Sequence, residues 1–120
     1  MKLKLLVLSL MTITSTAMAE GRLTDACIFS VTSVSGELPN NPVVLKSESS
    51  SALTESVGAA SANQKAYARV RTLNATRNAM MTIYIGEAKA RSQVMPMPGQ
   101  GELKVAFDGD DYLLKCDIKN

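Results

Sequence analysis

Residues 103–118 read LKVAFDGDDYLLKCDI. Leu103, Val105 and Phe107 alternate with polar or small residues, Asp108-Gly109-Asp110-Asp111 supplies turn residues, and Tyr112, Leu114, Cys116 and Ile118 alternate again. A period of two along both arms marks strands with one buried face, and an Asp-Gly pair between them marks a tight hairpin.

The same period recurs upstream. Pro96-Met97-Pro98-Gly99 must end the preceding segment, because two prolines in three residues remove ladder donors and fix backbone angles. From Glu87 to Met95, Glu87, Lys89, Arg91 and Gln93 fall on one face and Ala88, Ala90 and Val94 on the other, which predicts a half-exposed strand. Before it, Met81, Ile83 and Ile85 face a core, with Met80, Thr82 and Tyr84 opposite. Asn74 to Asn78 makes a turn, and Ala66 to Leu73 places Ala66, Ala68 and Val70 inward with Tyr67, Arg69 and Arg71 outward.

Near the start of the domain, Cys27, Phe29 and Val31 share one face of a first strand ending near Val34. Ser35-Gly36 and Pro39-Asn40-Asn41-Pro42 are turn segments, followed by a short strand at Val43, Val44 and Leu45. Residues 47–63 are small and polar, with Leu53 and Val57 the only large apolar side chains, which reads as a loop or one short helical turn. The expectation is an all-β protein: a small antiparallel β-sandwich or barrel of six to seven strands.

Residues 1–19 read as a cleavable signal peptide, with Lys2 and Lys4 ahead of an apolar stretch and Ala17-Met18-Ala19 before a cleavage point at Glu20. The run is broken by Thr12, Thr14, Ser15 and Thr16 and falls short of the roughly 20 apolar residues that cross a bilayer. The reading is therefore a single exported domain at residues 20–120, periplasmic or secreted, without stable membrane insertion. In that setting Cys27 and Cys116, the only cysteines, pair with each other and join the first strand to the last. Lipid attachment at Cys27 is disfavoured by Glu20, Gly21, Arg22 and Asp25 between it and the apolar run.

Of thirteen Lys and Arg, Lys2 and Lys4 belong to the leader, so the mature domain balances its eleven Asp and Glu. That argues against a nucleic-acid binder, whose affinity rests on a basic surplus. With no histidine, Ser-His-Asp and Cys-His catalysis and His-ligated zinc have no residues to use. No spacing singles out a catalytic pair among Asp, Lys and Tyr, so no enzyme and no cofactor is expected.

Three sets of residues raise binding chemistry. Tyr67, Arg69 and Arg71, with Lys89 and Arg91, form the candidate binding face, since the planar guanidinium pairs bidentately with carboxylate or phosphate. Met80, Met81, Met95 and Met97 are a soft-donor set of the kind that holds copper(I). Asp108, Asp110 and Asp111 cluster carboxylates but miss the EF-hand spacing, and read as a hairpin turn. Asn74-Ala75-Thr76 matches a glycosylation acceptor, of consequence only in a eukaryotic secretory pathway. The functional expectation is a non-enzymatic exported domain that binds a protein or an anionic envelope component. The alternatives are a structural subunit assembled by strand pairing and a Met-based copper(I) carrier.

Overall fold

A computed structural model describes residues 23–34, 36, 38–50, 54–73, 77–86 and 89–119. The expected leader and the Asn74-Ala75-Thr76 motif lie outside them, as does Leu53. Among these residues nine strands form: β1 (Cys27–Thr32), β2 (Val43–Val44), β3 (Lys46–Ser50), β4 (Glu55–Ala60), β5 (Ala66–Thr72), β6 (Asn78–Ile85), β7 (Lys89–Pro96), β8 (Gly99–Phe107) and β9 (Asp110–Ile118). They pair antiparallel in a four-stranded sheet, order β2-β1-β9-β8, and a five-stranded sheet, order β3-β4-β5-β6-β7. The all-β sandwich is as expected, whereas the count is nine and not six to seven, and no closed barrel forms.

Alternation sets which side of each strand is buried. Phe29 and Val31 from β1 and Tyr112, Leu114 and Ile118 from β9 pack against Val57, Ala68, Val70, Met81 and Ile83 of the opposing sheet. Phe29 and Tyr112 stack with ring centroids 6.1 Å apart. The turn between β8 and β9 has just two residues, Asp108 (φ 53°) and Gly109 (φ 85°), between the paired Phe107 and Asp110. Two successive positive φ values define the type I′ turn, whose twist matches the flanking strands.

Cys27 and Cys116 form the disulfide, closing a sequence separation of 89. They are directly opposed in the β1/β9 ladder, with Cα atoms 4.1 Å apart, so the bond reinforces neighbouring strands of one sheet. A disulfide fits an oxidising, exported setting. Among the described residues, no helix is long and apolar enough to cross a membrane.

The main departure from the sequence reading lies at residues 47–63, where β3 and β4 form a hairpin in place of a loop or helical turn. On β4, Val57 is buried toward the core, and Gly58 is buried on the outer side beneath Glu48 and Tyr67. Leu45 is the buried residue between β2 and β3, and its amide donates to the Cys27 carbonyl at 3.0 Å. Val43 to Ser50 is thus one bent strand that leaves the first sheet and enters the second, a familiar way of turning a sandwich corner.

Seen this way, each strand pairs with its neighbour in sequence, and the last pairs with the first. The exception is β7 and β8, which share a turn but belong to different sheets. β7 also corrects the expectation of a half-exposed strand with Ala90 and Val94 inward. Lys89 to Val94 are exposed on both faces and Met95 is the buried residue. In register, Lys89 opposes Ile85, Arg91 opposes Ile83 and Met95 opposes Ala79, so the odd positions lie on the core side.

Buried polar groups anchor the irregular segments. Leu23 is fully buried, and its amide donates to Glu55 Oε1 at 3.1 Å while Thr24 Oγ1 donates to Oε2 at 3.4 Å. The Asn41 carboxamide accepts from the Val31 amide at 3.1 Å and donates to its carbonyl at 2.6 Å, standing in for a strand beyond the short β2. Asn63 Nδ2 donates to Asp110 Oδ2 at 3.2 Å and to the Tyr112 hydroxyl at 3.0 Å, tying the β4/β5 turn to β9.

Candidate functional site

The outer face of the five-stranded sheet carries a connected set of polar and aromatic side chains. It starts at an irregularity in β3, where the register with β4 shifts between Ser47 and Ser49. At that shift the Glu48 carboxylate reaches across β4 toward β5. It can lie there because the residue beneath is Gly58: a Cβ at that position would stand 2.5 Å from the Tyr67 hydroxyl and 2.7 Å from Glu48 Cδ.

Glu48 collects three donors. Arg69 Nε approaches Oε1 at 2.8 Å, with its terminal nitrogen 3.4 Å from Oε2. Ser56 Oγ donates to Oε1 at 2.9 Å, and the Tyr67 hydroxyl donates to Oε2. Arg69 in turn lies 5.6 Å from the centroids of both the Tyr67 and Tyr84 rings, residues directly paired across β5 and β6. A guanidinium within cation–π reach of two rings and fixed by a carboxylate loses little further freedom on meeting a partner, since its orientation is already set.

Electrostatics follow from these contacts. Partial burial pushes the Glu48 carboxyl up, but the hydrogen bonds from Arg69, Tyr67 and Ser56 and the charge on Arg69 outweigh it, leaving the pKa below the usual glutamate value. Burial and the bond to a carboxylate raise the Tyr67 phenol. The bond to Glu48 raises the Arg69 guanidinium further, against a smaller opposing effect of burial. The network is therefore a fixed, ionised pair at neutral pH. It is not a poised acid or base.

Two more cations share this face. Arg71 is exposed, opposes Ser56 and Met80, and borders an open groove with Ser49, Thr54 and Thr72. Lys46 opposes Gly58 and so falls on the same side as Arg69. Among the described residues of the strands, the face then presents Lys46, Arg69 and Arg71 against one carboxylate, Glu48. The opposite sandwich face, carrying Asp111, Asp117, Glu102, Lys104 and Lys115, leans acidic.

The structure brings Tyr67, Arg69 and Arg71 together and parts them from Lys89 and Arg91. Those two stand on the core side of β7, and Lys89 Nζ lies 5.2 Å from the Phe107 ring centroid, facing away from the arginine cluster. The methionine set is divided as well. Met80 lies on the outer face, whereas Met81, Met95 and Met97 are buried. The Met81 and Met95 sulfurs converge on Gly101, where a Cβ would come within 2.8 Å of each. Asp110 is engaged by Asn63, and among the described residues no three His, Cys, Asp or Glu gather as a metal site.

Glu48, Gly58, Lys46 and Tyr84 complete the site without having been singled out by sequence. Alternation alone placed Tyr84 on the outward side. Its meeting with Tyr67 needs the β5/β6 register, and Glu48 needs a bulge inside a segment that reads as loop. Comparison with protein-family models, curated proteins and solved structures finds no match for this chain.

Proposed function

We propose that the chain is a non-enzymatic exported domain that binds an acidic partner, a protein surface or an anionic component of the cell envelope, through the outer face of the five-stranded sheet. One observation carries this reading: Arg69 lies against the Tyr67 and Tyr84 rings and is held by Glu48, beside the further cations Arg71 and Lys46. Flat sheet faces with pre-set guanidinium planes suit carboxylate or phosphate partners, and rim lysines add long-range attraction.

Retention of the mature domain on an anionic matrix such as immobilised polyglutamate, at low salt, tests the reading. Arg71→Ala and Lys46→Ala each weaken binding about two- to fivefold, the range of single exposed ion pairs. Arg69→Ala, which removes the fixed guanidinium itself, weakens binding at least as much. Retention that is indifferent to all three substitutions removes the proposal.

A further inference from the structure

The strand β7 is one of two long edges of the sandwich. It runs eight residues against nine in the edge strand β8, but where β8 buries Leu103 in its middle, Lys89 to Val94 of β7 are exposed on both faces. Its neighbour β6 uses only one side of its backbone ladder, so alternate amides and carbonyls of β7 point outward without a strand to meet them. On the core side of that open edge stand Lys89 and Arg91, two positions apart. On the other side are Ala90, Ser92 and Val94, small enough to let a further strand approach.

Neither Lys89 nor Arg91 has a carboxylate at ion-pair distance among the described residues, whose ion pairs are Arg69 with Glu48 and Lys104 with Glu102. Inward-facing cations on an edge strand repel an apolar strand that tries to add there. The same pair selects a strand of the opposite charge. Successive same-face residues are separated by about 6.8 Å in an extended chain, so carboxylates two residues apart meet both cations in register.

We propose that β7 is a docking edge for an extended acidic segment of a partner protein, which adds as a further strand and sets two carboxylates against Lys89 and Arg91. The site is separate from the outer face of the sheet and stands or falls independently of it. A second copy of this chain is a poor occupant, because none of the nine strands carries carboxylates at positions i and i+2. Lys89 now rests over Phe107 at the end of β8, and an incoming carboxylate replaces that ring as its neighbour.

The test uses the purified mature protein and a capped peptide alternating Thr and Glu, with a Thr and Lys peptide of the same length as control. The Glu peptide binds and slows hydrogen exchange at outward-pointing amides between Ala90 and Val94, while the Lys peptide does neither. The double variant Lys89→Glu/Arg91→Glu, whose side chains are exposed, weakens the Glu peptide at least tenfold and gains affinity for the Lys peptide. Arg71→Ala leaves the exchange protection between Ala90 and Val94 in place, which keeps this edge distinct from the outer face. Exchange protection confined to other strands, equal binding by the double variant, or dimerisation of the protein through β7 in place of peptide binding overturns the proposal.

Discussion

Reducing the Cys27–Cys116 bond isolates what a single covalent link contributes to this domain. The two residues are opposed within the β1/β9 ladder, which runs from Cys27↔Cys116 to Thr32↔Asp111, so the pairing around them does not depend on the bond. The native state therefore changes little, and the effect falls on the unfolded chain, which regains the freedom lost by closing a loop of 89 residues. The chain-entropy relation puts that freedom at about 15 cal/mol/K, or roughly 4.6 kcal/mol at 25 °C. A domain of this size shifts its Tm by about 4 to 8 °C per kcal/mol, so the reduced form melts roughly 20 to 35 °C lower. Urea titrations with and without reductant, followed by far-ultraviolet circular dichroism because the chain has no tryptophan, measure the difference. The m-value also rises on reduction, since the unlinked unfolded chain exposes more surface. A loss under about 1 kcal/mol with an unchanged m-value would falsify the account, because the bond would then not be constraining the unfolded ensemble.

Two further outcomes follow from buried and half-buried carboxylates. Glu55→Ala leaves the buried Leu23 amide without its acceptor and costs about 1 to 3 kcal/mol in a urea titration, whereas Glu55→Gln, which keeps an acceptor oxygen, recovers most of it; equal stability of Ala and wild type refutes the tether. The folded pKa of Glu48 is depressed, so its contribution is complete above the unfolded value of 4.5 and is lost as pH falls through the folded value. The stability difference between wild type and Glu48→Gln is accordingly constant near neutrality and shrinks below pH 4.5, and a difference that grows on acidification contradicts the assignment.

Where side chains alternate in size and polarity, the fold was readable. Ala66, Ala68 and Val70 against Tyr67, Arg69 and Arg71 placed β5 correctly, and Asp108-Gly109 fixed the last hairpin because its backbone demands residues that tolerate positive φ. Alternation failed where burial itself does not alternate. β3 and β4 hold together through register and backbone pairing, and Gly58 is small because Glu48 and Tyr67 occupy the space above it, which no local pattern reveals. Gly101 is a similar case: glycine weakens a strand in isolation, yet here it admits two methionine sulfurs. On β7, exposure of both faces erased the periodic signal, and Lys89 and Arg91 were grouped with charges that the pleat sends to the other side. The arginine cluster was legible because three outward residues share one strand. Its carboxylate partner comes from another strand and was not.

The near-circular strand order bears on how the chain assembles. Every hairpin from β3 to β7, and that of β8 with β9, joins neighbours in sequence and is free to form as soon as both arms exist. Only the joining of β1 to β9 requires the whole domain, because Cys27 is synthesised first and must wait 89 residues for its partner. Topology thus makes ring closure the slowest contact to find, and oxidation seals it only once Cys116 arrives.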